Sequence, residues 1–200
     1  MKNILFILFI FLFFSCDKAS DDPESISEEL TLQEKEDLQF LKEEEKLARD
    51  VYLYAFDLYA YKVFENISKS EQMHMNKVTK IMNVYQVEDL SLPERGKFTN
   101  AELQKLYDDL TELCDRSLDD ALIAGATIED VDIKDIEDFI QNTDLQDVMN
   151  MYLSLSCGSR NHMRTFTKSL TTLGIEYEPQ FITEKEYIEI INHSNEKCNF

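Results

Sequence analysis

From about Leu32 to Tyr61 the apolar residues Leu38, Leu41, Ala48, Tyr52, Ala55 and Tyr59 recur in alternating steps of three and four, the period of one buried helix face. One position on that stripe is a carboxylate, Glu45. A neighbouring stripe (Phe40, Glu44, Leu47, Val51, Tyr54, Leu58) is nearly as apolar, so the buried face is wide. Periodicity therefore leaves Glu44 and Glu45 as alternatives, while Glu43, farther from both stripes, reads as solvated. The connector KVFENISKS then leads to a second helix, for which Ser68 or Ser70 would serve as N-cap. Its stripe is Glu71, His74, Val78, Ile81 and Tyr85. So short a link predicts an antiparallel hairpin.

Leu90 to Lys97 contains Pro93 and Gly96 and reads as a loop, after which Asn100 caps a connecting helix to about Leu113. Asp115 or Ser117 opens a third long helix with the stripe Leu118, Leu122, Gly125, Glu129, Asp132, Ile136 and Phe139. Asn142-Thr143-Asp144 turns the chain into a fourth, whose stripe reads Val148, Tyr152, Leu155, Ser159, His162, Phe166, Ser169 and Leu173. Gly174 ends it, IEYEPQF forms an extended strap, and Thr183 caps a short last helix. Glu71 and His74 thus lead an otherwise apolar stripe, and the other three long stripes are apolar at both flanks and acidic, hydroxylic or imidazole-bearing at their centres. Several carboxylates buried together without compensation would be very costly. A pair of divalent cations removes that cost, so the pattern predicts a dimetal site inside an all-α bundle.

The remaining features refine this picture. Two hundred residues with only four Gly and three Pro suit one helical domain. A net charge of −20 argues against nucleic-acid binding, which needs a basic face. No Gly-rich phosphate loop or nucleophile elbow is present. Residues 1–15 read as a targeting segment: Lys2 supplies a short cationic start and Ile4 to Phe14 an apolar run too short to span a bilayer. Ser15-Cys16 at its end resembles the lipobox of bacterial lipoproteins. That implies acylation at Cys16, contact with a lipid membrane, and a lipid-anchored place in the bacterial cell envelope. Residues 16–30 then form an acidic flexible tether, residues 31–192 the bundle, and residues 193–200 a frayed tail. Cys114, Cys157 and Cys198 would remain after processing, an odd count that leaves at least one thiol unpaired. Cys157 reads as a buried free thiol, with a Cys114 bridge as the alternative.

Four separated motifs, EEEKLARDVY, Glu71-x-x-His74, SLDDALIAGATIEDVDIKDI and GSRNHMRTF, followed by YEPQFITEKEYIEII, resemble the ferritin-like family catalogued as domain of unknown function 2202. The resemblance implies an all-α, ferritin-like four-helix bundle with a connecting helix and a short C-terminal helix. The broader ferritin-like pattern is a Glu from each of two helices plus Glu-x-x-His from each of the others. Glu71 and His74 match one Glu-x-x-His, Glu129 the lone Glu of the third helix, and His162 the second His. Glu45 is similar to the first-helix Glu of rubrerythrin-like proteins, which also lies three residues before Ala-Arg, and this favours it over Glu44. The position three before His162 is Ser159 where the pattern has Glu, and Asp132, one turn from Glu129, is the expected substitute. Tyr52 reads as core. The implied cofactors are two divalent metal ions, iron first, with Mn or Zn as alternatives. The implied chemistry is that of an oxidase or peroxidase; the alternative is metal handling or a structural metal without turnover. No rubredoxin-like Cys₄ module accompanies the bundle, so electrons would come from an external donor, and an oligomer is compatible with the family.

Overall fold

The structure, a computed structural model, describes residues 29–198. They form six helices, with no strand among the described residues: α1 (Leu32–Tyr59), α2 (Lys62–Val84), α3 (Ala101–Cys114), α4 (Leu118–Gln141), α5 (Gln146–Thr172) and α6 (Glu184–Asn192). The four long helices close a ring of contacts in which α1 packs on α2 and α4, and α5 packs on the same two. Helix α3 lies against α1 and α4, and α6 against α5. The all-α bundle, its connecting helix and its short C-terminal helix thus stand as the stripes predict.

Local chemistry sets the ends of these helices. Thr31 and Glu34 form a capping box at the start of α1, and Thr183 and Glu186 form another at α6. Asn100 accepts from the N–H groups of Glu102 and Leu103, and Ser117 from that of Asp120. The second helix begins earlier than Ser68 or Ser70. Ala60 in the left-handed region (φ 48°) and extended Tyr61 make the whole turn, and KVFENISKS is already helical. The reason is packing: Phe64 and Ile67 extend the stripe of Glu71 and His74 backwards into the core, so burial outweighs the capping tendency of the serines. The Ser68 hydroxyl instead donates to the carbonyl of Glu65.

Two apolar clusters fill the bundle. One gathers Leu38, Leu41, Val78, Ile81, Ile136, Tyr152 and Leu155. The other contains Ala48, Tyr52, Phe64, Leu122, Phe166 and Leu170. On every long helix the polar centre of the stripe falls between the stretches that supply these two clusters. The site is therefore a polar layer sandwiched in an oily core.

A third face of α1 is also covered, which its sequence pattern does not show. The loop after α2 folds back over it, and Lys46 donates to Asp50 and to the carbonyls of Glu94 and Lys97 while lying over the Phe98 ring. Glu43 is not solvated: it is 3% exposed, and its two oxygens accept the N–H groups of Thr99 (2.7 Å) and Asn100 (2.9 Å). On the far side, Asp130 accepts from the Tyr177 hydroxyl and from the N–H groups of Phe181 and Ile182, fastening the strap between α5 and α6.

The end of the chain departs from expectation as well. Residues 193–198 are pinned, since Cys157 and Cys198 form a disulfide and Glu196 pairs with Arg160 and Arg164. Cys157 is thus no free thiol and does not join Cys114, which stays reduced and buried. The predicted leader, Cys16 and nearly all of the tether lie outside the described residues.

Replacing Glu43 with Ala leaves two backbone donors at the start of α3 without their anionic acceptor. The expected loss is about 1.5–3 kcal/mol of unfolding free energy, read from urea denaturation of the variant beside the parent.

Candidate metal centre

Each of the four long helices contributes to the polar layer. Glu45 comes from α1, Glu71 and His74 from α2, Glu129 and Asp132 from α4, and Ser159 and His162 from α5. All are buried, with His162 the most accessible at 8%. Glu71 occupies the centre. Its Oε2 lies 2.9 Å from His74 Nδ1 and its Oε1 2.9 Å from His162 Nδ1. The Glu45 carboxylate meets His74 Nδ1 at 3.1 Å, and Glu129 Oε2 lies 3.4 Å from His162 Nδ1. The layer thus consists of two sets, Glu45–Glu71–His74 and Glu71–Glu129–His162, each close enough to hold a metal ion and both sharing Glu71.

Packing fixes the two imidazoles. Their rings stack 5.5 Å apart at 27°. His74 rests on Gly158 of α5, where any Cβ would sit 2.5 Å from Nε2. His162 turns Nε2 to the Ser70 hydroxyl at 2.9 Å. Both rings therefore present Nδ1 to the carboxylates. That arrangement cannot satisfy itself, because one imidazole nitrogen carries at most one proton and here faces two acids. Glu45 Oε1, Glu71 Oε1, Asp132 Oδ1 and His162 Nδ1 are accordingly buried without a well-directed hydrogen bond. The ion pairs of Glu45, Glu71 and Glu129 are made with these two histidines alone among the described residues. Oxygen donors with two borderline nitrogens suit a divalent cation such as Fe, Mn or Zn, and orphaned buried acids are what such an ion would complete.

The electrostatics follow from the geometry. Burial lifts Glu45 to about 7 against the pull of His74. Burial also raises Glu129, and it pushes Asp132 well above the carboxylate range with help from Glu45 and Glu129. Glu71 is the exception. Burial opposes its charge, yet the two imidazoles hold it down at about 2. For His162, burial favours the neutral ring, but Glu71 and Glu129 carry it to about 10, and Glu45 and Glu71 raise His74 likewise.

Glu45, Glu71, His74, Glu129 and His162 are brought together as expected. Asp132 is buried beside them but lies outside both sets; its Oδ2 accepts the Ser159 hydroxyl. Tyr52 does more than pack, since its hydroxyl donates to Glu129. Three other residues lacked a legible role in the sequence. Ser70 looked like a cap, although its place beside Glu71 was a clue. Gly158 was a glycine within a helix, which by propensity alone marks a close approach. Glu44, set aside in favour of Glu45, is 1% exposed and points a carboxyl at Asp135 without a donor for either oxygen.

The model of an uncharacterized protein domain, DUF2202, matches residues 34–194. An uncharacterized protein of the archaeon Methanocaldococcus jannaschii, MJ0754, is 46% identical over 173 residues, covering 86% of this chain and 91% of the relative. A crystal structure of that hypothetical protein superposes with a TM-score of 0.82 at 45% identity, over 84% of this chain and 96% of the other. The relative's archaeal source overturns the expected place in a bacterial cell envelope, and no described helix is long and apolar enough to cross a membrane.

The shifted groups set a pH dependence for the metal-free protein. Glu45 moves from 4.5 to about 7 and His162 from 6.5 to about 10 on folding, so the folded state holds more protons than the unfolded one across these windows. Stability therefore falls as pH rises through them. Melting of chelator-treated protein should shift downward between about pH 5 and about pH 8, and an upward shift would contradict this arrangement of charges.

Proposed function

The chain belongs to the DUF2202 family of uncharacterized domains, and we propose that it is a ferritin-like dimetal-carboxylate protein with iron as its metal and O₂ or peroxide as its co-reactant. The observation that carries this reading is the placement of Glu71: one carboxylate faces two imidazole nitrogens at 2.9 Å each, flanked by Glu45 on one side and Glu129 on the other. A layer whose two ligand sets share Glu71 would suit a pair of divalent cations.

In this reading His74 with Glu45 would hold one ion and His162 with Glu129 the other, with Glu71 common to both sets. When bound, the iron pair supplies electrons to the oxidant. The chain's own share is to bind, orient and keep dry. Gly158 and Ser70 fix the histidine rings, the two apolar clusters exclude water on either side, and Tyr52 holds Glu129 through its hydroxyl. Ser159, in the position of the missing Glu, orients Asp132, which leaves one side of the pair less crowded by ligands. Loading requires the protons on both histidines to leave, so uptake releases acid and weakens as pH falls. Electrons for repeated turnover would come from a partner protein. A second reading, in which the ions are captured without turnover or stabilise the bundle, is favoured by the complete burial of the layer.

Anaerobic iron loading followed by metal analysis tests the centre. The parent protein should bind about two ions per chain, His74→Ala or His162→Ala about one, and Glu71→Ala essentially none, because only Glu71 serves both halves. Adding oxidant then separates the readings. Fast oxidation with turnover supports an oxidoreductase, a single stoichiometric event supports metal handling, and tight redox-inert zinc supports a structural role.

A further inference from the structure

Between α1, α4 and the loop before α3 lies a cleft of about 590 Å³. Its walls carry Glu36, Asp37, Glu43 and Asp135, with Phe40 and Phe139 beside them and no Lys or Arg. Two of these acids are already engaged: Glu43 by backbone N–H groups, Asp37 by the side-chain amides of Gln33 and Asn142. Asp135 is half-buried, and behind it the Glu44 carboxyl is sealed from solvent with no donor for either oxygen. Behind Glu44 in turn is Asp132, one helical turn from Asp135 on α4, with its own Oδ1 unpartnered. Asp132 adjoins Glu45 and Glu129 of the metal sets.

The line from solvent inward is therefore Asp135, Glu44, Asp132, and then the centre. Nothing in the folding of the bundle calls for Glu44. It caps no helix, makes no ion pair, and takes up a core position that Leu or Met would fill at lower cost. Its two immediate neighbours in this line, Asp135 and Asp132, are acids, which raises that cost. A passing cation reverses the sign of every one of these interactions.

We propose that the Asp135–Glu44–Asp132 file is the access route by which divalent cations pass from the acidic cleft to the buried centre. This rests on the dimetal reading above and assigns it a direction of supply. The cleft gathers cations in its negative field. Asp135 takes them at the mouth, and the two buried carboxyls within, Glu44 and then the free Oδ1 of Asp132, replace hydration water one step at a time. None of the three needs to belong to the final ligand sets, consistent with Asp132 lying outside both.

Stopped-flow uptake of Co²⁺ by the metal-free full-length protein, followed by its visible absorption, tests this. Glu44→Gln and Asp135→Asn keep size and shape, while Glu65→Gln on an exposed part of α2 matches the change in net charge. Expected is a slowing of about tenfold or more for Glu44→Gln and a smaller slowing for Asp135→Asn, with Glu65→Gln unchanged and the same final occupancy in all. Added salt should slow the parent more than Asp135→Asn, since screening removes the field of the cleft. Parent-like rates in both route variants would overturn the proposal while leaving the dimetal reading intact. Reduced final occupancy in Glu44→Gln with an unchanged melting curve would also overturn it, making Glu44 a ligand. A parent protein that takes up no cobalt, iron, manganese or zinc would remove the dimetal reading itself, and the route with it.

Discussion

The structure depends on how five acids, Glu44, Glu45, Glu71, Glu129 and Asp132, can share the interior of one small bundle. Among the described residues two imidazoles are the only positive groups paired with them, and both converge on Glu71. An isolated carboxylate in such surroundings gives up its charge or finds a counter-ion. Both outcomes are visible. Glu71 stays ionised because it has two histidines, whereas Glu44 and Asp132 are driven towards the protonated acid because they have none. A hydrophobic layer of equal volume would give a more stable bundle. The layer is polar on all four helices, with apolar packing above and below, and this sets it apart in a fold that otherwise obeys ordinary burial.

The rest of the chain supports that layer. Glycines admit rings where any side chain would collide: Gly158 takes His74, and Gly125 takes Phe166 of the neighbouring cluster. Besides Glu43, the buried acid Asp50 ties down the loop over α1, and Asp130 does the same for the strap beside α4. These two acids are satisfied by several donors apiece. The contrast with the orphaned oxygens of the central layer separates acids that hold the scaffold from acids that could hold a metal ion.

How much could be read in advance follows from the range of the interactions. Stripes of period three to four are local, and the residues at their polar centres, Glu45, Glu71, His74, Glu129 and His162, meet as the spacing implies. Contacts made by distant segments were not legible. Glu43 looked solvated because its partners, the N–H groups of Thr99 and Asn100, arrive from a loop more than a helix away in the chain. Cys157 looked like a free thiol because its partner sits in a tail without any periodic signal, and the disulfide spans 41 residues. The start of α2 was misjudged because two serines matched a capping pattern while Phe64 and Ile67 were already committed to the core. Asp132 is expected as the substitute for the Glu missing at Ser159 because it shares a stripe with Glu129, but a stripe fixes a face of the helix and not which neighbour the carboxyl turns to.

Glu71 has one further consequence. Among the described residues it is the sole carboxylate in contact with both rings, so an event at His74 alters the partner that His162 depends on, and the reverse holds with equal free energy. The two halves of the layer are therefore not independent sites placed side by side. They form one thermodynamic unit, in which the state of each half is communicated to the other through a single side chain.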